Sequence, residues 1–225
     1  WNQAHQRMYA DFCREFITGR EGRLLDVGCG LGYFVKAVSN FRGWEVWGYE
    51  ISPPAVKFAS EKLGLKNVRC GSVEGSGFGK NSFDIITLWD VIEHLPDPDL
   101  LLSYLQALLT DRGFLFLHTP NINFQLPKAR LIKFLRGRSP EIHYLEAKDH
   151  MNIYSMRGLM AVLRRNGFPK VHFLHLSPIQ SVSGSRKEWL RWLKNAWHYL
   201  SVMVFHASLG RINFDNLIAV ARKNG

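Results

Sequence analysis

The residues from Leu24 to Gly32 read Leu-Leu-Asp-Val-Gly-Cys-Gly-Leu-Gly, an apolar run that breaks into glycines at alternate positions. Glycine at a strand end lets the backbone turn sharply and lets a ligand approach without a Cβ in the way. The helix expected to follow would present free N–H groups, which suit a carboxylate or phosphate. About twenty residues on, Glu50 closes the next apolar run, where a carboxylate can accept both hydroxyls of a ribose. A nicotinamide dinucleotide loop calls for GxGxxG or GxGxxA. Here Tyr33 stands at the final position, where it would obstruct the close helix-to-strand packing that a small residue allows.

A second group of reactive side chains lies further along. Asp90, Glu93 and His94 fall at i, i+3 and i+4, which share one face of a short helix. His118 closes a later apolar run, and His150 follows a basic stretch. Histidine titrates near neutrality and can take a proton as a general base, although a structural histidine is the commoner case.

These residues need elements to hold them. Ala4–Ile17 has helical spacing through Met8, Phe12 and Phe16. Strands are expected at 23–27, 44–49, 67–70, 83–89 and 113–118, and helices at 33–39, 53–63 and 100–109. After Pro120 the rhythm changes: residues 121–150 read as a basic, irregular insertion. Helix 155–166 and strand 170–175 follow, then a second insertion at 178–210 and a closing strand at 212–221. Alternating apolar runs and helices indicate a parallel sheet covered on both faces, here a single domain of 225 residues with two insertions.

Composition is that of a globular enzyme: 46% hydrophobic and 21% charged. Cys13, Cys29 and Cys70 form no CxxC pair, which argues against a zinc cluster and suits a reducing compartment. No secretory n-region and apolar core precede the first helix, and Trp189–Leu209 is broken by Arg191, Lys194 and His198. A cytoplasmic location is therefore expected. The net charge of +10 favours acidic partners or a solvated basic surface.

Five segments together resemble the class I S-adenosylmethionine (SAM) dependent methyltransferases, in particular the bacterial group similar to the ubiquinone-biosynthesis O-methyltransferases. They are LLDVGCGLGYF (24–34), GYEIS (48–52), SFDIITLWDVIEHLPDP (82–98), GFLFLHTPN (113–121) and HMNIYSMRGLMAVLRRNGF (150–168). The resemblance implies an α/β fold with a Rossmann-like seven-stranded sheet of order 3-2-1-4-5-7-6, the seventh strand antiparallel. It implies SAM as cofactor, with Asp26, Gly28, Gly30 and Gly32 along its methionine half, Glu50 on the ribose and Ile51 on the adenine. Ser72 and Val73 stand where the family has an aspartate for the adenine amino group, a departure that leaves a hydroxyl or backbone contact. Leu88, Trp89 and Asp90 would lie beside the methionyl group. The run from Asp90 to His94 is similar to the ExxEH divalent-metal site of relatives. With Asp90 in place of the first Glu, the expectation is no metal.

Methyl transfer from a sulfonium is an in-line displacement, so alignment does most of the work. An oxygen nucleophile also needs a base, for which His94, His118 and His150 are the candidates, His94 and His150 foremost. The acceptor is expected to be a small molecule, a glycan or a lipid-linked compound, chosen by the insertions. The first insertion carries Lys128, Arg130, Lys133, Arg136 and Arg138 among Phe124, Leu131, Phe134 and Tyr144, as a lid or a packed surface helix. The second sets Trp189, Trp192, Leu193, Trp197 and Leu200 at helical spacing beside Arg186, Lys187, Arg191 and Lys194. That pattern suits a peripheral contact with anionic membrane at its inner face; a lid or the face of a homodimer would bury the same rings. An RNA methyltransferase and a non-catalytic SAM-binding protein are the rival readings, and nothing in the chain resembles an RNA-binding platform.

Overall fold

A computed structural model of the chain describes residues 2–136, 150–177 and 188–223. Seven strands form one sheet: β1 Gly22–Val27, β2 Trp44–Glu50, β3 Val68–Cys70, β4 Phe83–Trp89, β5 Leu109–Thr119, β6 Lys170–Leu174 and β7 Leu217–Arg222. Their order is β3-β2-β1-β4-β5-β7-β6. The first five run parallel, and β7 lies antiparallel to both β5 and β6. The fold expected from the resemblance is the one observed.

The central strands are near-continuous apolar runs because both faces of the sheet are covered. Leu25, Ile86, Leu88, Leu115 and Leu117 face a core closed by α4 (Pro98–Leu108) and α6 (Met156–Arg165). Leu24, Ile85, Phe114 and Phe116 face the opposite core, under α1 (Asn2–Phe12), α2 (Tyr33–Ser39) and α3 (Pro53–Leu63). On that side Phe12, Phe34, Trp89 and Phe116 meet ring to ring at 4.6–5.9 Å. Local chemistry sets the helix ends. Pro53 and Pro98 open α3 and α4, the Asp97 carboxylate accepts the Asp99 N–H, and Gly64 ends α3 at φ +68°.

Three expectations are corrected. The first helix ends at Phe12 and passes into a π-helical turn at Cys13–Ile17, closed where the Thr18 N–H reaches the Cys13 carbonyl. Residues 122–136 are not irregular but form α5 (Ile122–Arg136). Asn121 starts this helix: its side-chain oxygen accepts the Asn123 N–H and its carbonyl accepts the Gln125 N–H. The closing strand begins at Leu217 rather than Ile212. Asn213 and Asp215 turn their side chains onto backbone N–H groups two and one residues ahead, and the Asn121 amide takes the carbonyls of Asn213 and Asp215. These side-chain bonds displace ladder pairing at 212–216. The last helix, α7 (Glu188–Ala207), fulfils the helical spacing read in the second insertion. Arg138, Tyr144, Arg186 and Lys187 lie outside the described residues.

Candidate active site

In the order 3-2-1-4-5 the succession of parallel strands across the sheet reverses between β1 and β4, and a crevice opens beyond the carboxyl ends of those strands. The glycine loop rises from β1 into this crevice. Its first amides are fixed to β2, Gly28 and Cys29 both donating to the Tyr49 carbonyl at 2.8 and 3.1 Å. Gly28 sits at φ +73°, and a Cβ there would stand 2.5 Å from a Val91 methyl, so only glycine lets the turn after β4 lie against the loop. Above Gly30, at φ +53°, a Cβ would meet nothing within 4 Å. That open side is where a ligand can approach the backbone.

Glu50, at the end of β2, is held from two directions. One carboxylate oxygen accepts the Gly30 N–H and the other the Ser52 N–H, each at 2.8 Å. Asp26, beneath the loop, accepts the Thr87 hydroxyl at 2.7 Å and is almost fully buried. Burial, with the Glu50 charge adding to it, pushes its pKa up to about 8. Tyr33 does not block the loop: its ring turns toward Phe58 of α3, with centroids 5.9 Å apart.

Across the crevice, Asp90 follows β4 in a left-handed turn at φ +53°. Its N–H donates to the His118 carbonyl at 3.0 Å, and its carboxylate meets His118 Nδ1 at 2.7 Å. Burial alone would raise its pKa, but His118, with His5 and His94 beyond it, holds the carboxyl below the usual range. Burial likewise opposes the charged form of His118, and the Asp90 carboxylate outweighs it, so that imidazole is raised. Glu93 is buried, one oxygen accepting the Thr119 hydroxyl at 2.9 Å and the other without a hydrogen-bond partner among the described residues. Burial and the neighbouring Asp90 lift it to about 7.

His94 and His150 come together, their ring centroids 4.7 Å apart. The bonds that dock the 150s onto this corner run from Asn152, whose backbone N–H reaches the Glu93 carbonyl and whose amide reaches the Leu95 carbonyl. Glu93, His94 and His150 each offer a ligand atom within 4.8 Å of the others. Two imidazoles and a carboxylate with one orphaned oxygen suit a first-row divalent cation.

The site residues read from the sequence divide accordingly. Asp26, Gly28 and Gly30 belong to the end of β1 and its loop, Glu50 bonds the Gly30 amide, Asp90 stands on the β4 side against His118, and His94 and His150 adjoin Glu93. Gly32 opens α2, and a Cβ there would run into Leu65 and Ala59, so its smallness serves the packing on α3. Leu88 and Trp89 point into the two cores rather than the opening. Val73 is core too, and the Ser72 hydroxyl bonds the Glu74 carboxylate. Ile51 stands 78% exposed beyond Glu50, an apolar surface ready to be covered. Sequence reading missed Tyr9 and His5. Tyr9 is raised by burial and then by the charges of Asp26 and Asp90. It stacks on His5 at 5.8 Å and meets the edge of Trp89 at 5.2 Å, which seats α1 on the core beneath Trp89. Tyr154 also has a buried hydroxyl without a partner among the described residues.

The donor set fits SAM better than a dinucleotide. Asp26, Glu50 and Asp90 make the hollow acidic in a chain of net charge +10, and the Gly30 amide is already given to a carboxylate. A pyrophosphate would meet like charge there, whereas a ligand bearing an ammonium and a sulfonium would meet opposite charge.

Beside the crevice, α5 and α7 touch through Phe124 and Trp197, stacked at 5.7 Å. The Trp197 indole donates to the Phe214 carbonyl. Trp192 (69% exposed), Tyr199, Met203 and, on α5, Leu131 and Phe134 (84%) are open to solvent beside exposed Lys128, Arg130 and Lys133. No helix among the described residues is long and apolar enough to cross a membrane.

Comparison with known proteins bears on the family and the fold. A family model described as "Methyltransferase domain" matches residues 1–173. Ubiquinone biosynthesis O-methyltransferases are similar: that of Coxiella burnetii is 32% identical over 119 residues, covering 51% of this chain and 50% of its own length. The one from Xanthomonas axonopodis pv. citri is 36% identical over 116 residues, 48% of each chain. The chain thus spans about half the length of these curated relatives. A SAM-dependent methyltransferase from Thermotoga maritima aligns over 100% of this chain and 93% of its own, with a TM-score of 0.62 at 20% identity, a likeness of fold.

Proposed function

The chain belongs to the methyltransferase domain family, and from that premise we propose that it binds SAM in the crevice between β1 and β4 and methylates an oxygen of a small-molecule, glycan or lipid-linked acceptor. The observation that carries the reading is the double anchoring of Glu50, which fills the loop amide with a carboxylate and turns the same group toward a ribose. When bound, SAM supplies a methyl group on a good leaving group. The protein's residues do the remaining work. Glu50 orients the sugar, and Asp26 and Asp90 place negative charge beside a cation. Tyr9 and the aromatic rings around Trp89 keep water from the floor of the hollow. His94 or His150 takes the acceptor proton. The ubiquinone-enzyme relatives support an oxygen acceptor.

Calorimetry tests the cofactor: S-adenosylhomocysteine is expected to bind and NAD not to. Binding of NAD alone would overturn the reading. Radiolabelled SAM incubated with lipid, glycan and RNA fractions tests the acceptor, with label expected in lipid or glycan. Label in RNA would select the rival enzyme, and binding without label in any fraction would select a non-catalytic SAM-binding protein.

The exposed aromatic and basic residues of α5 and α7 support a peripheral contact with anionic membrane, since such rings sit at headgroup depth and the lysines meet lipid phosphates. Flotation with phosphatidylglycerol vesicles is expected to carry the protein, and Trp192→Ser with Phe134→Ser to weaken it. An absence of co-flotation removes the membrane reading.

A second reading concerns the corner formed by Glu93, His94 and His150. The orphaned Glu93 oxygen and the two adjoining imidazoles favour a bound divalent cation, against the expectation of none. A cation there would polarise an acceptor oxygen. Elemental analysis of purified protein, with His150→Ala as control, decides between them.

A further inference from the structure

His118 is the most deeply buried histidine of the crevice, with no accessible side-chain surface, which removes it from the candidates for the base. It cannot touch a ligand. Its partner can: the Asp90 side chain keeps 22% of its surface accessible.

The surroundings of the pair are built on both sides. His118 lies opposite Trp89 in the β4–β5 register, and its backbone carbonyl accepts the Asp90 N–H. Its Nδ1 meets the Asp90 carboxylate at 2.7 Å, and its Nε2 lies 3.3 Å from the Asn216 amide, just before β7. The ring is therefore clamped between two strands with one nitrogen aimed at Asp90. Asp90 itself follows β4 at a left-handed φ of +53°, a conformation a short polar side chain tolerates. The next residue, Val91, fills the space left by the absent Gly28 side chain. Hence the Asp90 turn is wedged between the glycine loop and His118, at the point where β1 and β4 part.

We propose that His118 is a positioning residue, which acts through Asp90 to fix a carboxylate beneath the positively charged sulfur end of the cofactor. The inference rests on the SAM reading above. Asp90 makes the contact, and His118 sets its rotamer and its distance from the glycine loop. Asn216 in turn holds His118, so three segments distant in the chain converge on one carboxylate.

The test exploits the charge difference between SAM, a sulfonium, and S-adenosylhomocysteine, a neutral thioether of nearly the same shape. Calorimetric affinities for both are measured on the full chain for wild type, Asp90→Asn, His118→Leu and His118→Asn. Asparagine places its amide nitrogen where His118 Nδ1 stands, so it can still donate to Asp90. The expected result is a loss of about tenfold more affinity for SAM than for the thioether in Asp90→Asn and His118→Leu, with His118→Asn near wild type; tenfold corresponds to about 1.4 kcal/mol. Equal losses for both ligands in all three variants would mean a merely structural role and overturn the proposal. Unchanged affinities would overturn it as well. Should His118→Leu fail to fold, His118→Ala takes its place, with the same SAM-selective loss expected and equal or no loss overturning the proposal. A wild-type protein that binds neither ligand refutes the SAM reading instead, so the two failures are distinguishable.

Discussion

Asp26 offers the sharpest test of how the crevice is built. The side chain is buried under the glycine loop with the Thr87 hydroxyl as its hydrogen-bond donor, and burial with the Glu50 charge raises its pKa from 3.8 to about 8. Between those values the unfolded chain ionises this group while the folded chain keeps it protonated. The folded state then binds more protons, so stability falls as pH rises. At about 1.4 kcal/mol per pH unit, this group alone lowers stability by about 4 kcal/mol between pH 4 and pH 7, and the loss levels off above the folded pKa. Asp26→Asn keeps an oxygen for Thr87 and removes the titration. The variant is expected to match wild type near pH 4 and to exceed it by an amount that grows steadily toward pH 8. Urea unfolding at pH 4, 5.5, 7 and 8.5 reads this directly. A stability difference that stays flat across that range would refute the reasoning. The same linkage reaches the ligand: a cation in the hollow favours ionised Asp26, so wild-type affinity for SAM should tighten as pH rises toward 8, and that slope should vanish in Asp26→Asn.

Three further outcomes follow from the geometry. Glu50→Gln leaves one oxygen for two backbone amides and the ribose, and calorimetry should show at least about tenfold weaker binding of S-adenosylhomocysteine. Gly28→Ala forces a Cβ to 2.5 Å from Val91 at φ +73°, and Val91→Ala should recover the clash but not the backbone strain of roughly 1–2 kcal/mol, which a double-mutant cycle in urea separates. Phe12→Ala removes a fully buried ring that meets Phe16, Phe34, Trp89 and Phe116, and should cost about 3–5 kcal/mol of stability by denaturant midpoint.

Much of this site was legible before any coordinates. The glycine loop, Glu50 and the run from Asp90 to His94 announce themselves because their chemistry is local: a strand end, a turn and a short helical segment lie within a few residues of one another. The sheet order was legible only through resemblance, since no local pattern tells β7 to enter between β5 and β6. What escaped was long-range. Tyr9 and His5 are buried on α1, which Phe12 holds on the sheet, and the helical spacing of 4–17 shows a buried face without showing what it covers. Residues 122–136 looked irregular because Pro127 and four basic residues blur the apolar stripe, while Asn121, which starts the helix, takes its meaning from bonds to Asn213 and Asp215. Position in the chain puts Val73, Leu88 and Trp89 next to the site, and their side chains pack into the cores. In a strand successive side chains alternate between faces, so adjacency to Asp90 sends Leu88 and Trp89 into opposite cores.

Two acids on facing strands illustrate why position in the sheet decides chemistry here. Asp26 and Asp90 both end central strands, both are largely removed from water, and both would be driven toward the neutral form by that removal. Their outcomes diverge because of what the next strand supplies. β4 gives Asp26 a hydroxyl, a single neutral donor, and its pKa climbs. β5 gives Asp90 an imidazole, a donor that can carry charge, and its pKa falls. Of this pair, Asp90 is ionised in advance and Asp26 ionises when a cation arrives. A permanently charged Asp26 would repel Asp90 and Glu50 while the hollow is empty. A neutral Asp90 would leave less charge to meet a cation at first contact. The observed division avoids both costs, and it depends on Thr87 and His118 facing β1 and β4 from the strands one step further along the sheet.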